Sequence, residues 1–270
     1  MKEYRTETDT MGEVRVISSA LYGAQTQRAV DNFTIAKEVM PWSFIEALLH
    51  IKLAAAKTNG ELGLLTKEQS IRISTAVDFV LERKPKTQFP VPVFQTGSGT
   101  STNMNVNEVI ARVSSEPDAP ISPNDHVNLC QSSNDVIPSA IQISSANCTS
   151  TLLIPALHNL IATINTFITN NVDVIKTGRT HLMDALPIKL MDECKGWICQ
   201  IEECIERLEN SLSRLTRLPL GGTAVGTGVN CHPDFARLTI KTLSRLFDLE
   251  FVESDSKFKG LSSLDSVVEH

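Results

Sequence analysis

Apolar residues recur at threes and fours along several stretches of the chain, and each stretch predicts a helix whose apolar stripe needs a partner. From Pro41, the positions Ile45, Leu48, Leu49, Ile51 and Leu53 keep a helical period that ends near Asn59-Gly60. Thr66, with Gln69 three residues later, has the form of a capping box opening a second helix to about Leu81. Pro138 is placed in the first turn of a third helix running to about Asn170, with Leu153, Leu157, Leu160, Ile161, Ile164 and Ile168 on one side. A fourth is expected from Pro187 to about Leu218, where Leu190, Met191, Cys194, Trp197, Ile198, Ile201, Cys204, Ile205, Leu208, Leu212 and Leu215 repeat. At 1.5 Å per residue the third and fourth are rods of about 45 Å, and two such striped rods require a bundle. A shorter helix is expected from Pro233-Asp234 through Phe247, and another from about Leu261, which runs out at His270 without a glycine cap and reads as a truncation. The pattern divides the chain into a helical domain over residues 1–135 and an incomplete central bundle domain over residues 136–270.

Four polar segments interrupt this pattern. The first, Gln95-Thr-Gly-Ser-Gly-Thr-Ser-Thr-Asn-Met-Asn-Val-Asn-Glu108, is small, hydroxyl-rich and uncharged before Glu108. Glycine permits close backbone approach while Ser, Thr and Asn supply donors, so its head, Gly97, Ser98, Gly99 and Thr100, reads as a cradle for a carboxylate. The second runs Ser122-Pro-Asn-Asp-His-Val-Asn128 and then Gln131-Ser-Ser-Asn-Asp135. Ser132, Ser133 and Asn134 offer the same donors, and Ser-Ser-Asn-Asp is equally good at opening a helix. The third, Lys176-Thr-Gly-Arg-Thr-His181, sets His181 beside Thr180, and a histidine titrating near neutrality suits proton transfer. The fourth is Gly221-Gly-Thr-Ala-Val-Gly-Thr-Gly228. Taken singly, each glycine-rich segment is more often a turn than a site.

Several chemistries are excluded by spelling. Residues 97–102 lack the third glycine of a dinucleotide fingerprint, and neither glycine loop is followed by Lys-Ser/Thr. No second His or Cys stands at metal-ligand spacing from His181, and no Gly-x-Ser-x-Gly elbow occurs. The 270 residues are 41% hydrophobic and 21% charged, which fits a folded globular chain. A net charge of −6 without a basic run argues against nucleic acid or an anionic membrane as partner, so an anionic substrate must be held by local donors. The first residues lack an apolar signal region and no window nears 18 uninterrupted apolar residues, so a cytoplasmic protein is expected. Six cysteines without a paired metal spacing read as reduced structural thiols.

Together and in order, these segments resemble class II fumarase, of the fumarase/aspartase superfamily. The matching pieces are Gly12-Glu-Val, Tyr22-Gly-Ala-Gln-Thr-Gln-Arg28, Gln95-Thr-Gly-Ser-Gly-Thr100, Asn103-Met-Asn-Val-Asn-Glu-Val-Ile110, Pro123-Asn-Asp-His-Val-Asn128, Gln131-Ser-Ser-Asn-Asp135, Gly178-Arg-Thr-His-Leu182 and Gly221–Gly228. The resemblance implies an all-α fold with a long central helical bundle shared by a homotetramer, each active site built from loops of three chains. It implies reversible trans hydration of fumarate to L-malate in the tricarboxylic acid cycle, without metal or organic cofactor. By resemblance, Ser98, Thr100, Ser132, Ser133, Asn134 and Thr180 would hold the substrate carboxylates and His181 would act in proton transfer. His181 stands where aspartate ammonia-lyases carry Gln, and Phe94-Gln-Thr-Gly-Ser-Gly-Thr and Leu182-Met-Asp-Ala also look like fumarase, whereas Ser122-Pro-Asn-Asp-His and Cys130-Gln-Ser lean towards aspartase.

Two departures limit the resemblance. The Gly-Ser-Ser loop and Met-Pro-x-Lys-x-Asn-Pro segment, which carry the family's base serine and further substrate ligands, are missing, so the chain alone is expected to be inactive. Asn124 and Asp125 match an accessory carboxylate site of some members, but Ala119 and Ser122 stand where that site has Arg and His. The competing expectations are an aspartate ammonia-lyase and a catalytically silent fragment or assembly subunit.

Overall fold

A computed structural model describes residues 3–270. Strands β1 (Tyr4–Asp9) and β2 (Gly12–Ile17) form an antiparallel hairpin, followed by helices α1 (Ala24–Asn32), α2 (Trp42–Glu61), α3 (Lys67–Arg83) and α4 (Thr100–Ser114). Helix α2 is buried over most of its circumference, so it is the axis of the core: Ile45, Leu48, Leu49, Ile51 and Ala54 are buried, and α3, residues Ser133–Cys148 and residues Phe235–Phe247 pack on it. Helix α3 opens as its sequence predicts. Thr66 Oγ1 accepts the Gln69 N–H at 3.1 Å and Gln69 Oε1 accepts the Thr66 N–H at 3.0 Å.

Helices α5 (Ser133–Cys148) and α6 (Ile154–Thr169) are joined through a π-helical turn at Thr149–Leu153 into one 37-residue rod, about 55 Å long. An antiparallel hairpin of β3 (Ile175–Thr180) and β4 (Met183–Lys189) caps its far end, and α7 (Leu190–Leu215) returns alongside α6. Helices α8 (Phe235–Phe247), α9 (Lys257–Ser262) and α10 (Asp265–Glu269) complete the fold, with β5 (Arg217–Leu218) pairing in parallel with β6 (Val252–Glu253). The architecture is all-α, its strands confined to three two-stranded ribbons.

Four elements differ from the sequence expectation. The rod starts at Ser133, so Pro138 lies inside it: Ser132 and Asp135 form a capping box that fixes the helix start upstream of the proline. Helix α7 starts at Leu190, because Pro187 belongs to β4, opposite Thr177. The last expected helix is two short ones broken at Ser263-Leu264, the first opened by Ser256 Oγ accepting the Lys259 N–H at 3.3 Å. The first polar segment is a loop only through Gly99 and helical from Thr100 onward.

Packing splits the molecule unevenly. One large apolar cluster draws on β2, α2–α5, the end of α7 and α8. Along α6 only Ile168 is buried, packed with Cys194 and Ile198 of α7, while Leu152, Leu160 and Phe167 stand exposed.

Candidate active site

Three of the four polar segments meet at the first turn of α5. From the first, Gly99 caps α4 with φ 67°, and a Cβ there would lie 3.0 Å from the Ile137 side chain, so close seating on α5 requires glycine. Gln95 braces this turn: its Oε1 accepts the Thr102 N–H at 2.9 Å and its Nε2 donates to Pro92 O at 2.8 Å. The Ser98 and Thr100 hydroxyls lie 2.8 Å apart at its exposed lip. From the second, Ser132 Oγ accepts the Asn134 N–H at 3.2 Å, and Asn134 Nδ2 reaches Ala224 O of the fourth segment at 2.7 Å. Gly221 has φ 85°, and a Cβ there would meet Ala236 at 2.6 Å, so the fourth segment also depends on glycine.

Beneath this surface lies a buried polar network. Asp135 is fully buried; its Oδ1 accepts the Ser132 N–H and its Oδ2 those of Gly221 and Thr223, each at 2.9 Å. Burial pushes the Asp135 carboxyl above the usual carboxylate range, opposed by those three donors and by Lys52. Lys52, buried inside α2, donates to Asn128 Oδ1 and Gln131 Oε1 at 2.9 Å each. Asn128 Oδ1 also accepts from Asn103 and Asn107, and Asn103 reaches Ser133 Oγ at 3.0 Å. Burial pulls the Lys52 ammonium down to about 7, opposed by Asp135. Sequence reasoning missed Lys52, although a lysine set within the apolar run Ile51 to Ala56 was the available signal.

The third segment is elsewhere. Thr180 pairs with Met183, so His181 and Leu182 form a two-residue hairpin turn with φ 48° and 61°. Both are left-handed without being glycine, a conformation that costs roughly 1–2 kcal/mol per residue. A Cβ at Gly178 would lie 2.6 Å from Leu186 O, so the ribbon closes only with glycine there. His181 is exposed at the tip and hydrogen-bonds to nothing among the described residues. Because the hairpin follows the far end of the rod that begins at Ser133, Thr180 and His181 stand tens of ångströms from Ser132, Ser133 and Asn134 in the same chain.

Asn124 and Asp125 are exposed on a π-helical turn. Asp125 Oδ2 accepts the Ser122 hydroxyl at 2.8 Å, and Ser122 Oγ accepts the Asp125 N–H at 3.1 Å. Asn124 lines a cleft of about 710 Å³ between the β1–β2 hairpin, α1 and α4, together with Thr96 and Ser101. Two of the cleft's arginines are committed, Arg28 to Asp9 at 2.9 Å and Arg5 to Glu7 and four backbone carbonyls, whereas Arg112 is exposed and approaches only Glu7, at 4.0 Å. The buried Glu108 caps α1, accepting the N–H groups of Gly23, Gln25 and Thr26 and the Thr26 hydroxyl, which explains the single charge closing the first polar segment.

A family model described as Lyase matches residues 12–270. The chain is 51% identical over 267 residues to the fumarate hydratase class II of Xylella fastidiosa, covering 98% of this chain and 56% of that protein. It is 45% identical to that of Nitrosomonas europaea, covering 99% and 60%. The crystal structure of class II fumarase from Schistosoma mansoni superposes with a TM-score of 0.94 at 35% identity, covering 99% of this chain and 61% of that one. The chain thus spans little more than half the length of the relatives it matches.

Proposed function

The chain belongs to the Lyase family, and from that membership we propose that it is the loop-bearing part of a fumarate hydratase, which adds water reversibly across fumarate to give L-malate. The observation that supports this most is the convergence of three polar segments, rich in hydroxyl and amide groups, on the head of α5. Dehydrating malate removes a weakly acidic proton beside a carboxylate, and the dianionic aci-carboxylate that forms needs preorganised donors. Ser98, Thr100, Ser132, Ser133 and Asn134 supply them at the points where α4 and α5 begin, so the positive ends of two helices add to the hydroxyls and amides. That is how a chain of net charge −6 can hold a dianion.

In this reading Thr180 and His181 join the cluster from another copy. An antiparallel neighbour lays the far end of its rod against this chain's α5 head, and a homotetramer with sites shared by three chains meets that requirement. Residues 1–135 then act as the loop domain and residues 136–270 as the start of the shared bundle. The rod is long and apolar enough by length and composition to cross a membrane, but α7 beside it exposes Glu202, Glu203, Glu206, Arg207 and Glu209, which favours cover by other helices. We read this assembly as cytoplasmic. Asn124 and Asp125, which bring a carboxylate to the turn, would need the exposed Arg112 of the same cleft to hold an accessory dianion.

The test compares residues 1–270 with a chimera that adds the part of the Xylella fastidiosa relative lying beyond the aligned region. Loss of fumarate's ultraviolet absorbance is expected in the chimera, sedimenting as a tetramer, and not in the chain alone. A tetrameric chimera that releases ammonia from aspartate without hydrating fumarate, or that does neither, overturns the reading.

A further inference from the structure

Cys130 and Cys231 are distant in sequence but share one small apolar cluster with Ala55 and Phe235. Cys130 immediately precedes Gln131 of the second polar segment, and Cys231 follows the fourth, three residues after Gly228. The backbone holds Cys130 in the left-handed region, φ 63°, and the Cys231 thiol reaches the His232 carbonyl at 3.6 Å. The two sulfurs act on each other. The Cys231 thiol pulls the Cys130 thiol down to about 7, while Cys130 and burial push Cys231 above the ordinary thiol range. Two thiols lying side by side, one of them buried and eased toward the thiolate by the other, have the arrangement of an attacking and a resolving thiol.

The remaining cysteines offer no such arrangement. Cys194 is buried between α6 and α7, Cys148 sits at the end of α5, and Cys199 and Cys204 lie one and a half turns apart on α7, where they face different sides of one helix.

We propose that Cys130 and Cys231 are a reversible redox-modification site, in which two-electron oxidation by a peroxide joins them in a disulfide between the second and fourth polar segments. The Cys130 thiolate attacks a peroxide oxygen, the O–O bond breaks, and hydroxide leaves with the electron pair to give Cys130 sulfenic acid. The Cys231 sulfur then attacks the Cys130 sulfur, forming the S–S bond and releasing the sulfenic oxygen as water with the Cys231 proton. Two thiols and hydrogen peroxide become one disulfide and two waters, and a dithiol reductant reverses the change. The crosslink ties Gln131–Asn134 to the chain after Gly228, reinforcing the contacts that Asn134 and Asp135 already make to Ala224, Gly221 and Thr223. This site stands whatever reaction the cluster performs.

The experiment treats the native 270-residue chain with hydrogen peroxide at slight excess, alkylates the remaining thiols and maps peptides without reduction. The expected result is a mass lower by about 2 Da before alkylation, a linked pair of Cys130 and Cys231 peptides, and full alkylation at Cys148, Cys194, Cys199 and Cys204. Dithiothreitol should restore all six thiols. In Cys231→Ser, Cys130 should stop as a sulfenic acid that dimedone traps. Recovery of Cys130 and Cys231 both alkylated while the fold persists by circular dichroism, or pairing of either with another cysteine, overturns the proposal; the wild-type map decides even if the variant fails to fold.

Discussion

The head of α5 and the tip of the β3–β4 hairpin are attached to opposite ends of one rod, yet they are built in opposite ways. At the head most polar side chains are answered within the chain: Asp135 collects three backbone N–H groups, Lys52 braces Asn128 and Gln131, and Asn134 holds Ala224, leaving Asn103 Oδ1, Asn107 Oδ1 and Thr223 Oγ1 buried without a partner among the described residues. At the tip His181 is exposed, and its position is set by a strained two-residue turn and a glycine that lets the ribbon close. The head can be preorganised by a single chain, since its partners are its own. In the proposed assembly the tip acquires its partners from a neighbouring copy, so one chain would carry two pieces of a site that its own geometry keeps apart.

The largest effect that tests this contrast is at the tip. In the completed enzyme, His181→Asn should lower turnover by about 10²–10⁴-fold, the contribution of a general acid–base group, while urea unfolding of the 270-residue chain stays unchanged. Near-normal turnover would remove His181 from the reaction, and a large loss of stability would mean that the tip is structural. The head should behave in reverse. Asp135→Ala removes the acceptor of three buried N–H groups and should cost about 3 kcal/mol in urea unfolding; a loss below about 1 kcal/mol would show that the first turn of α5 holds without it.

Lys52 gives the next effect, in pH dependence. Its unfolded value is 10.5 and its folded value about 7, so between them the unfolded chain binds more protons. Stability should therefore rise with pH through that window, by up to about 1.4 kcal/mol per unit, and level off below about 7, where both states carry the proton. Asp135 has the opposite sign, its raised folded value favouring the fold most at low pH and less as pH rises through that value. Unfolding series on wild type and Lys52→Met separate the two, because Asp135 is present in both. A slope that survives in Lys52→Met would place the titration elsewhere. The methionine also takes the donor away from Asn128 Oδ1 and Gln131 Oε1, so a pH-independent loss of about 1–3 kcal/mol is expected beside the change in slope.

The sequence was most legible where local chemistry decides structure. Thr66 and Gln69 form the capping box that their spacing implies, and the stripes of α2 and α8 are buried as their periods require. Legibility failed where one local signal outranked another. Pro138 suggested a helix start, but Ser132 with Asp135 caps the helix upstream and the proline is carried inside. The hairpin bearing His181 escaped notice because its turn uses His-Leu, where a short turn with positive φ normally shows Asn-Gly. The polar segments were visible singly, but their meeting at α5 depends on the buried hub of Asp135 and on Lys52, which only the fold reveals.

A smaller effect sharpens the contrast in the loop-bearing half. Thr66→Ala removes one hydroxyl from an exposed capping box and should cost about 1 kcal/mol in urea unfolding. A cost as large as that of Asp135→Ala would mean that burial of the α5 cap adds nothing to its strength, and that the head of α5 is no more than an ordinary helix start.

The smallest effect on the isolated chain is expected on the rod. Leu160 is 46% exposed on α6, so much of its apolar area already faces water and the fold gains little from it. Leu160→Gln should shift the chain's stability by no more than about 0.5 kcal/mol, as surface substitutions do. In the proposed assembly the same leucine would lie where the neighbouring rod packs, and replacing it would put a polar amide into an apolar seam. Sedimentation equilibrium should then show weakened association of Leu160→Gln while urea unfolding of the 270-residue chain is unaltered. Unchanged association would move the neighbour off this face of α6, and with it the route by which His181 reaches the head of α5.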